Sequence, residues 1–153
     1  MKRLYTAVTW GHLKEEELTI DAPIGRDPRD RKRMAVVEDG RRAVTRIKVR
    51  ERWMRADLLD VALETGRTHQ IRVHLSSVGH PVVGDPTYGA NWERGLGGPT
   101  RRWVEDLARR VKRQFLHAAE LSFDHPATRE RMHFHAALPP DLASAAAWAS
   151  AGP

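Results

Sequence analysis

The stretch ADLLDVALETGRTHQIRVHL, residues 56–75, changes its apolar period midway and decides how the surrounding chain folds. Its first half alternates apolar residues with others, a period of two that predicts a strand over 56–65. In its second half apolar residues recur every three or four positions, which predicts a helix that Thr68 caps and Gly79 ends. The apolar positions are Leu59, Val61 and Leu63 in the strand and Ile71, Leu75 and Val78 in the helix.

The segment AVTRIKVRER, residues 43–52, also alternates with a period of two. It predicts a half-buried strand that pairs antiparallel with residues 56–65. One face of this strand is apolar, and the other is expected to be solvent-exposed and basic. The basic face would carry Arg46, Lys48, Arg50 and Arg52.

The remaining elements are predicted from similar patterns. Strand-like segments are found at 3–11, 18–24, 115–123 and 131–137, with a short MAVV strand inside the arginine-rich loop 25–42. An amphipathic helix is predicted over 100–114, with Trp103, Leu107 and Val111 as its apolar stripe, and an alanine-rich helix after Pro139 and Pro140. The chain is therefore predicted to be a single α+β domain with a mixed, mainly antiparallel sheet and a few helices.

The charge of the chain favours an anionic partner. Lys and Arg number 26 against 20 Asp and Glu, and 21 of the 26 are Arg. Arginine presents a planar fork of donors that matches phosphate oxygens, so nucleic acid is one explanation. A compositional bias of the host genome is the other. The chain contains no cysteine and no long apolar run, which predicts a soluble, cytoplasmic protein without a membrane span.

Several site classes are disfavoured by spacing. His69 and His74 are five positions apart, which places their side chains far round a helix from each other, and His133 and His135 lack a third ligand. We therefore expect no metal. Neither a nucleophile elbow nor a glycine-rich phosphate loop is present.

Arg72 is the residue that most needs an explanation. It lies in the first turn of the predicted helix, next to the core-facing stripe, so its stem would be buried. A buried guanidinium needs an anionic partner. Two interpretations remain open: an anion-binding cleft, or a buried Arg–Asp pair without a catalytic role.

Three segments, in this order and spacing, carry a family resemblance. LETGRTHQIRVHLSSVGHPVVGDPTYG (63–89) resembles the signature of RluA-type RNA pseudouridine synthases over 27 contiguous positions. RLYTAVTWG (3–11) resembles the tyrosine motif of that family, and LHAAELSFDHP (116–126) resembles a late motif whose apolar residue packs on the target base. The resemblance covers essentially the whole chain.

The resemblance implies roles for particular residues. Tyr5 would stack on the uracil ring and lie near C5 when that carbon loses its proton. Arg72 would pair with the catalytic carboxylate, and Leu116 would form a wall of the base pocket. No cofactor is implied. The same cleft would be shaped by Arg67, His69 and Gln70.

The family's nucleophilic aspartate lies in a His-Arg-Leu-Asp motif, and this sequence contains no such motif. Residues 1–153 would then be the C-terminal portion of a catalytic domain, without an S4 domain. The missing half would be supplied in cis or in trans, and the chain alone would be inactive. Arg72 would lack its partner, which predicts weak stability or association. The alternative is a non-catalytic RNA-binding protein derived from such an enzyme.

The implied reaction converts uridine to pseudouridine in structured RNA. Large-subunit ribosomal RNA is the first expected substrate, and transfer RNA is the next. Basic residues on the strand 43–52 and the helix 100–114 are expected to contact the RNA backbone. These candidates are Arg46, Lys48, Arg50, Arg109, Arg110 and Arg113.

Overall fold

A computed structural model describes residues 1–152 and contains a six-stranded antiparallel sheet, a separate two-stranded sheet and three α-helices. The strand order in the large sheet is β2-β5-β6-β1-β7-β8, and β3 pairs with β4. The predicted α+β fold is confirmed. The strands are β1 (Lys2–Trp10), β2 (Glu17–Asp21), β3 (Ile24–Arg26), β4 (Met34–Val36), β5 (Val44–Arg52), β6 (Ala56–Leu63), β7 (Leu116–Asp124) and β8 (Arg131–His135), and the helices are α1 (Gln70–Ser77), α2 (Arg101–Arg110) and α3 (Pro140–Ser150).

The pairing register divides the sheet residues between two faces. Ile47 lies opposite Val61, which in turn lies opposite Tyr5, so these side chains share a face. We call this the α1 face, because α1 packs on it and buries Ile71 there. The other side, here the opposite face, carries Arg46, Lys48, Asp60, Ala62 and Leu4.

A β-bulge in β5 changes the predicted basic face. Val49 pairs with Leu59 and Glu51 with Leu58, so Arg50 is an extra residue in the strand. Arg52 is therefore turned to the α1 face, where its Nη1 donates to the buried Asp57 carboxylate at 3.0 Å. The prediction that Arg52 shares the basic face was wrong, because strict alternation does not survive a bulge.

The start of α1 also differs from the prediction. The N-cap is His69, in the left-handed conformation with φ 55°, and Thr68 makes no capping bond. The side chain of Gln70 instead reaches back and accepts the backbone N–H of Arg67 at 3.0 Å. Gly79, with φ 84°, follows the helix end as predicted.

Helix α2 is shorter than predicted but buries the expected stripe. It ends at Arg110, and Val111 is extended because the chain must lead into β7. Trp103, Leu107 and Val111 are all buried. Trp103 stacks on Trp148 of α3, with ring centroids 5.6 Å apart. No helix among residues 1–152 is long and apolar enough to cross a membrane.

Candidate active site

A cavity of about 310 Å³ opens on the α1 face, between β1, β7 and the start of α1. All six residues that the resemblance implied for the site line it. They come from three segments that are distant in sequence, so the fold itself brings them together. The six are Tyr5, Arg67, His69, Gln70, Arg72 and Leu116, and Leu63, Ile71 and Gln114 complete the lining.

The two sheet residues of the site are placed by strand register. Tyr5 pairs with Ala118 of β7, and Leu116 pairs with Ala7, two residues further along β1. Because paired and alternate residues project from one face, the Tyr5 ring and the Leu116 side chain lie side by side. Both are partly buried against the core. They form an apolar and aromatic wall suited to a planar ring.

Arg72 forms a buried bidentate salt bridge with Asp85. Its Nε donates to Oδ2 at 2.8 Å and its Nη2 to Oδ1 at 2.9 Å. The backbone N–H groups of Thr87 and Tyr88 also donate to Asp85. The expectation that Arg72 lacks a partner within this chain was therefore wrong: the aspartate of GDPTYG neutralises it. The open interpretation of a buried Arg–Asp pair describes this contact.

The ion pair shifts the pKa values of Arg72 and Asp85 in the directions that favour their charged forms. The hydrogen bond to Asp85 raises the pKa of Arg72 above its ordinary value. Burial alone would raise the pKa of Asp85, but the hydrogen bonds from Arg72, Tyr88 and Thr87 outweigh it and hold that pKa below its ordinary value. Both groups are therefore charged at neutral pH. The Nη1 group of Arg72 is left without an acceptor among residues 1–152.

His69 is oriented by Tyr88. The Tyr88 hydroxyl accepts the backbone N–H of Met34 at 3.0 Å and lies 2.9 Å from Nδ1 of His69. Burial, together with the nearby charge of Arg72, lowers the pKa of His69, so the neutral ring is favoured. Because the Tyr88 hydroxyl accepts from Met34, its own proton is available for a hydrogen bond to Nδ1 of neutral His69. No local pattern in the sequence indicates this contact between Tyr88 and His69.

Gln70 is held by four hydrogen bonds within the protein. Its Nε2 donates to the Val44 carbonyl and the Thr45 hydroxyl, both at 2.9 Å. Its Oε1 accepts from the Thr65 hydroxyl at 2.7 Å and from the Arg67 N–H. Since these bonds occupy the whole amide, Gln70 contributes to the cavity by fixing the 65–69 turn and not through a free polar group.

His74 extends this network into the core. Its Nδ1 lies 2.7 Å from the Thr45 hydroxyl, and its Nε2 lies 2.8 Å from the Ala22 carbonyl. The neutral tautomer with a proton on Nε2 satisfies both contacts, because Thr45 then donates to Nδ1. Burial lowers the pKa of His74, against the opposing effect of the Ala22 bond. His74 therefore has a structural role in the core. It contacts Thr45 and Ala22, whereas His69 contacts Tyr88.

The six proposed RNA-backbone residues do not gather at the cavity. Arg46 and Lys48 lie on the opposite face, where Arg46 pairs with Glu64 at 2.9 Å, and Arg50 pairs with Asp60. The other three candidates lie on α2 or just after it, and two of them contact α3. Arg109 pairs with Asp106, Arg110 lies over the Trp148 ring at 4.5 Å, and Arg113 pairs with Asp141 at 2.8 Å.

Comparison with known proteins agrees with this geometry. Residues 1–77 match the sequence profile described as RNA pseudouridylate synthase. The chain belongs to this family. It is 49% identical over 140 residues to a ribosomal large subunit pseudouridine synthase D of Xanthomonas campestris, covering 92% of this chain and 41% of the relative.

Two further likenesses agree with this assignment. The chain is 45% identical over 144 residues to a ribosomal large subunit pseudouridine synthase D of Nitrosomonas europaea, covering 94% of this chain and 40% of that relative. It is also similar to the solved structure of human RNA Pseudouridylate Synthase Domain Containing 1, with a TM-score of 0.72 and 30% identity, covering 94% of this chain and 58% of the other. The chain thus spans about two fifths of the length of these two bacterial relatives.

Proposed function

We propose that this chain is the C-terminal portion of the catalytic domain of an enzyme that isomerises uridine to pseudouridine in RNA. One observation carries the proposal. Tyr5, the 67–72 segment and Leu116 line a single cavity, although they are distant in the sequence. Its volume of about 310 Å³ is at the small end of the range for ligand pockets and is large enough for one base.

The reaction breaks the bond between N1 of uracil and C1′ of the ribose, turns the base and joins C5 to C1′, while C5 loses its proton and N1 gains one. In our proposal the Tyr5 ring stacks on the uracil and lies near C5, and Leu116 packs against the base. The attacking carboxylate comes from outside this chain, either from a preceding segment or from a second polypeptide. The Nη1 of Arg72 is the donor that remains for it. No cofactor or metal takes part.

A uridine must leave its helix or loop stack to enter the cavity, which costs a few kcal/mol. RNA loops, whose bases are easily splayed out, are therefore the preferred substrates. We propose large-subunit ribosomal RNA first, as in the names of the bacterial relatives, with transfer RNA as the second choice and the cytoplasm as the location. Phosphate contacts from the α2 region would offset part of the cost. The β5 candidates face away from the cavity, so we assign them no contact with the RNA that the cavity binds.

A non-catalytic RNA-binding protein is the second candidate. It is favoured by the salt bridge between Arg72 and Asp85. Because this pair already neutralises the buried cation, the cavity does not need an incoming carboxylate to be stable.

Pseudouridine mapping separates the two candidates. Cells lacking the gene would be complemented with the chain alone, with the chain plus its upstream coding region, or with the latter carrying Tyr5→Phe. Total RNA would then be mapped by carbodiimide modification and reverse transcription. We expect one or a few sites to return only with the upstream region. We expect Tyr5→Phe to reduce their formation by at least about a hundredfold, because proton transfer is lost.

The exposed Trp92 provides a control, since Trp92→Phe changes an aromatic residue away from the cavity and should restore every site. If no pseudouridine depends on the gene while the chain binds RNA, the catalytic proposal is overturned in favour of the second candidate.

A further inference from the structure

Arg3 is an arginine of β1 on the same side of the sheet as the cavity. In the pairing of β1 with β7 the register shift between Leu4 and Tyr5 adds a residue to β7 and none to β1, so Arg3 and Tyr5 are alternate residues of β1 and project from the same face. Among residues 1–152, the Arg3 guanidinium makes no hydrogen bond or salt bridge, and its Nε atom is buried without an acceptor. The two arginines that line the cavity differ from Arg3 because each has a partner. Arg72 is paired with Asp85, and Arg67 donates through Nε to the Arg42 carbonyl at 2.8 Å.

Gly66 makes the room that the Arg3 side chain occupies. A Cβ atom at position 66 would collide with Nη1 of Arg3 and lie 3.2 Å from its Cζ. Gly66 does not have a positive φ, so a side chain at this position would act by displacing the flexible Arg3 guanidinium and not by straining the backbone. Arg3 is not itself part of the cavity lining, but its guanidinium lies against Gly66, the residue next to the lining residue Arg67.

We propose that Arg3 binds a phosphate of the RNA next to the uridine that enters the cavity, an inference that rests on the function proposed above. A guanidinium is charged at any physiological pH, and its fork of donors matches the phosphate oxygens. The Cα atoms of Arg3 and Tyr5 are about 7 Å apart along the strand. That spacing suits one nucleotide with its base on Tyr5 and an adjoining phosphate on Arg3.

The inference predicts a specific loss of RNA affinity. The probe is a stem-loop RNA with a single loop uridine, and its Kd is measured by fluorescence anisotropy over a range of salt concentrations. Arg3→Gln should weaken binding about tenfold and should lower the slope of log K against log salt by about 0.7 to 0.9. The matched control is Lys2→Gln, which removes one charge from the neighbouring residue on the other face of β1 and should leave the slope unchanged.

Two further measurements test the mechanism of that loss. Gly66→Ala keeps the charge but displaces the guanidinium, so it should weaken binding in the wild type and add nothing in the Arg3→Gln background. Replacing single phosphates of the probe by neutral methylphosphonates should identify one position where the wild type loses affinity and Arg3→Gln does not.

The possible failures are distinguishable. The Arg3 inference is overturned if wild type and Arg3→Gln share the same salt slope and the same methylphosphonate profile. The proposed function would still stand in that case if the complemented enzyme forms pseudouridine. A wild-type chain with no affinity for RNA would overturn the inference as well, and absence of gene-dependent pseudouridine would separately overturn the function.

Discussion

Arg72 and Asp85, thirteen positions apart, form a buried ion pair in which two parallel hydrogen bonds join the guanidinium to the carboxylate. The guanidinium also lies 5.0 Å from the centre of the Tyr88 ring. One carboxylate thus ties the first turn of α1 to the GDPTYG loop. Arg72 also lines the cavity, so the link holds one of the lining residues in position.

Asp85→Asn should therefore destabilise the chain strongly. It leaves the Arg72 cation buried and unpaired, which costs about 3–5 kcal/mol of unfolding free energy. Urea denaturation followed by circular dichroism would measure the loss. Asp60→Asn is a suitable comparison, because it breaks the pair with Arg50 on an exposed surface and should cost less than about 1 kcal/mol. Equal losses in the two variants would contradict a special role for the buried pair.

The Arg72–Asp85 pair also predicts the acid sensitivity of the fold. The pKa of Asp85 is lower in the folded chain than its ordinary value of 3.8. Its contribution to stability is therefore complete above about pH 4 and is lost as the pH falls through the lower folded pKa. A thermal melt series from pH 5 to pH 2 should show this loss in the wild type. The Asp85→Asn variant should show a shallower decline.

How much of this site the sequence predicts depends on the kind of signal. The family resemblance alone pointed to Tyr5 and Leu116, and the pairing of β1 with β7 that brings them to one cavity has no signal in either segment. Asp85 was visible in GDPTYG, but nothing in local sequence says that a loop thirteen positions away will turn back to meet Arg72. Contacts between a helix and a distant loop depend on tertiary packing and have no period to detect.

The same limit explains the errors in the fold. Alternation predicted β5 and β6 correctly, yet it could not reveal the extra residue at Arg50 that redirects Arg52 to Asp57. Thr68 has the right residue type for a cap, but the left-handed His69 and the back-bonded Gln70 take over that role. Side chains that compete for the same backbone groups are not distinguished by type alone.

Gln70→Leu should test whether the buried amide network holds the cavity turn. The substitution keeps the volume but leaves the Val44 carbonyl and the Arg67 N–H without their partners, so we expect a loss of about 3 kcal/mol. Hydrogen exchange at the Arg67 amide should also accelerate. Thr68→Ala is the matched control, because Thr68 is exposed and makes no capping bond, and it should change stability by less than about 0.5 kcal/mol. A slow Arg67 amide in Gln70→Leu would count against the network.

The buried His74 predicts that stability rises with pH near neutrality. The pKa of His74 in the folded chain is lowered from the ordinary 6.5. Between these two pKa values the unfolded chain binds more protons than the folded chain, so stability falls as the pH is lowered through this range. His74→Gln removes this group and should reduce the slope of unfolding free energy by up to about 1.4 kcal/mol per pH unit between the folded and unfolded pKa values. The exposed His135→Gln serves as control. Identical slopes in His74→Gln and the wild type would refute the assignment.

Arg113 allows the proposed RNA contact of the α2 region to be tested with a pair of variants. It precedes Gln114, which lines the cavity, and its guanidinium is paired with the exposed Asp141 at 2.8 and 3.0 Å. Arg113→Gln removes the cation and should weaken RNA binding about fivefold, with a smaller salt slope. Asp141→Asn breaks the same pair but keeps the arginine, so RNA affinity should be unchanged or higher. Filter binding at several salt concentrations measures both.

The loss of one positive charge would by itself weaken RNA binding by Arg113→Gln. Lys48→Gln separates this general effect from the loss of a direct contact. Lys48 lies on the opposite face of the sheet from the cavity, and the substitution removes the same charge. If RNA lies over the cavity, Lys48→Gln should change Kd by less than about twofold and leave the salt slope intact, because at physiological salt a distant charge is largely screened. Equal losses at positions 48 and 113 would show that RNA affinity follows total charge, and the α2 contact would have to be abandoned.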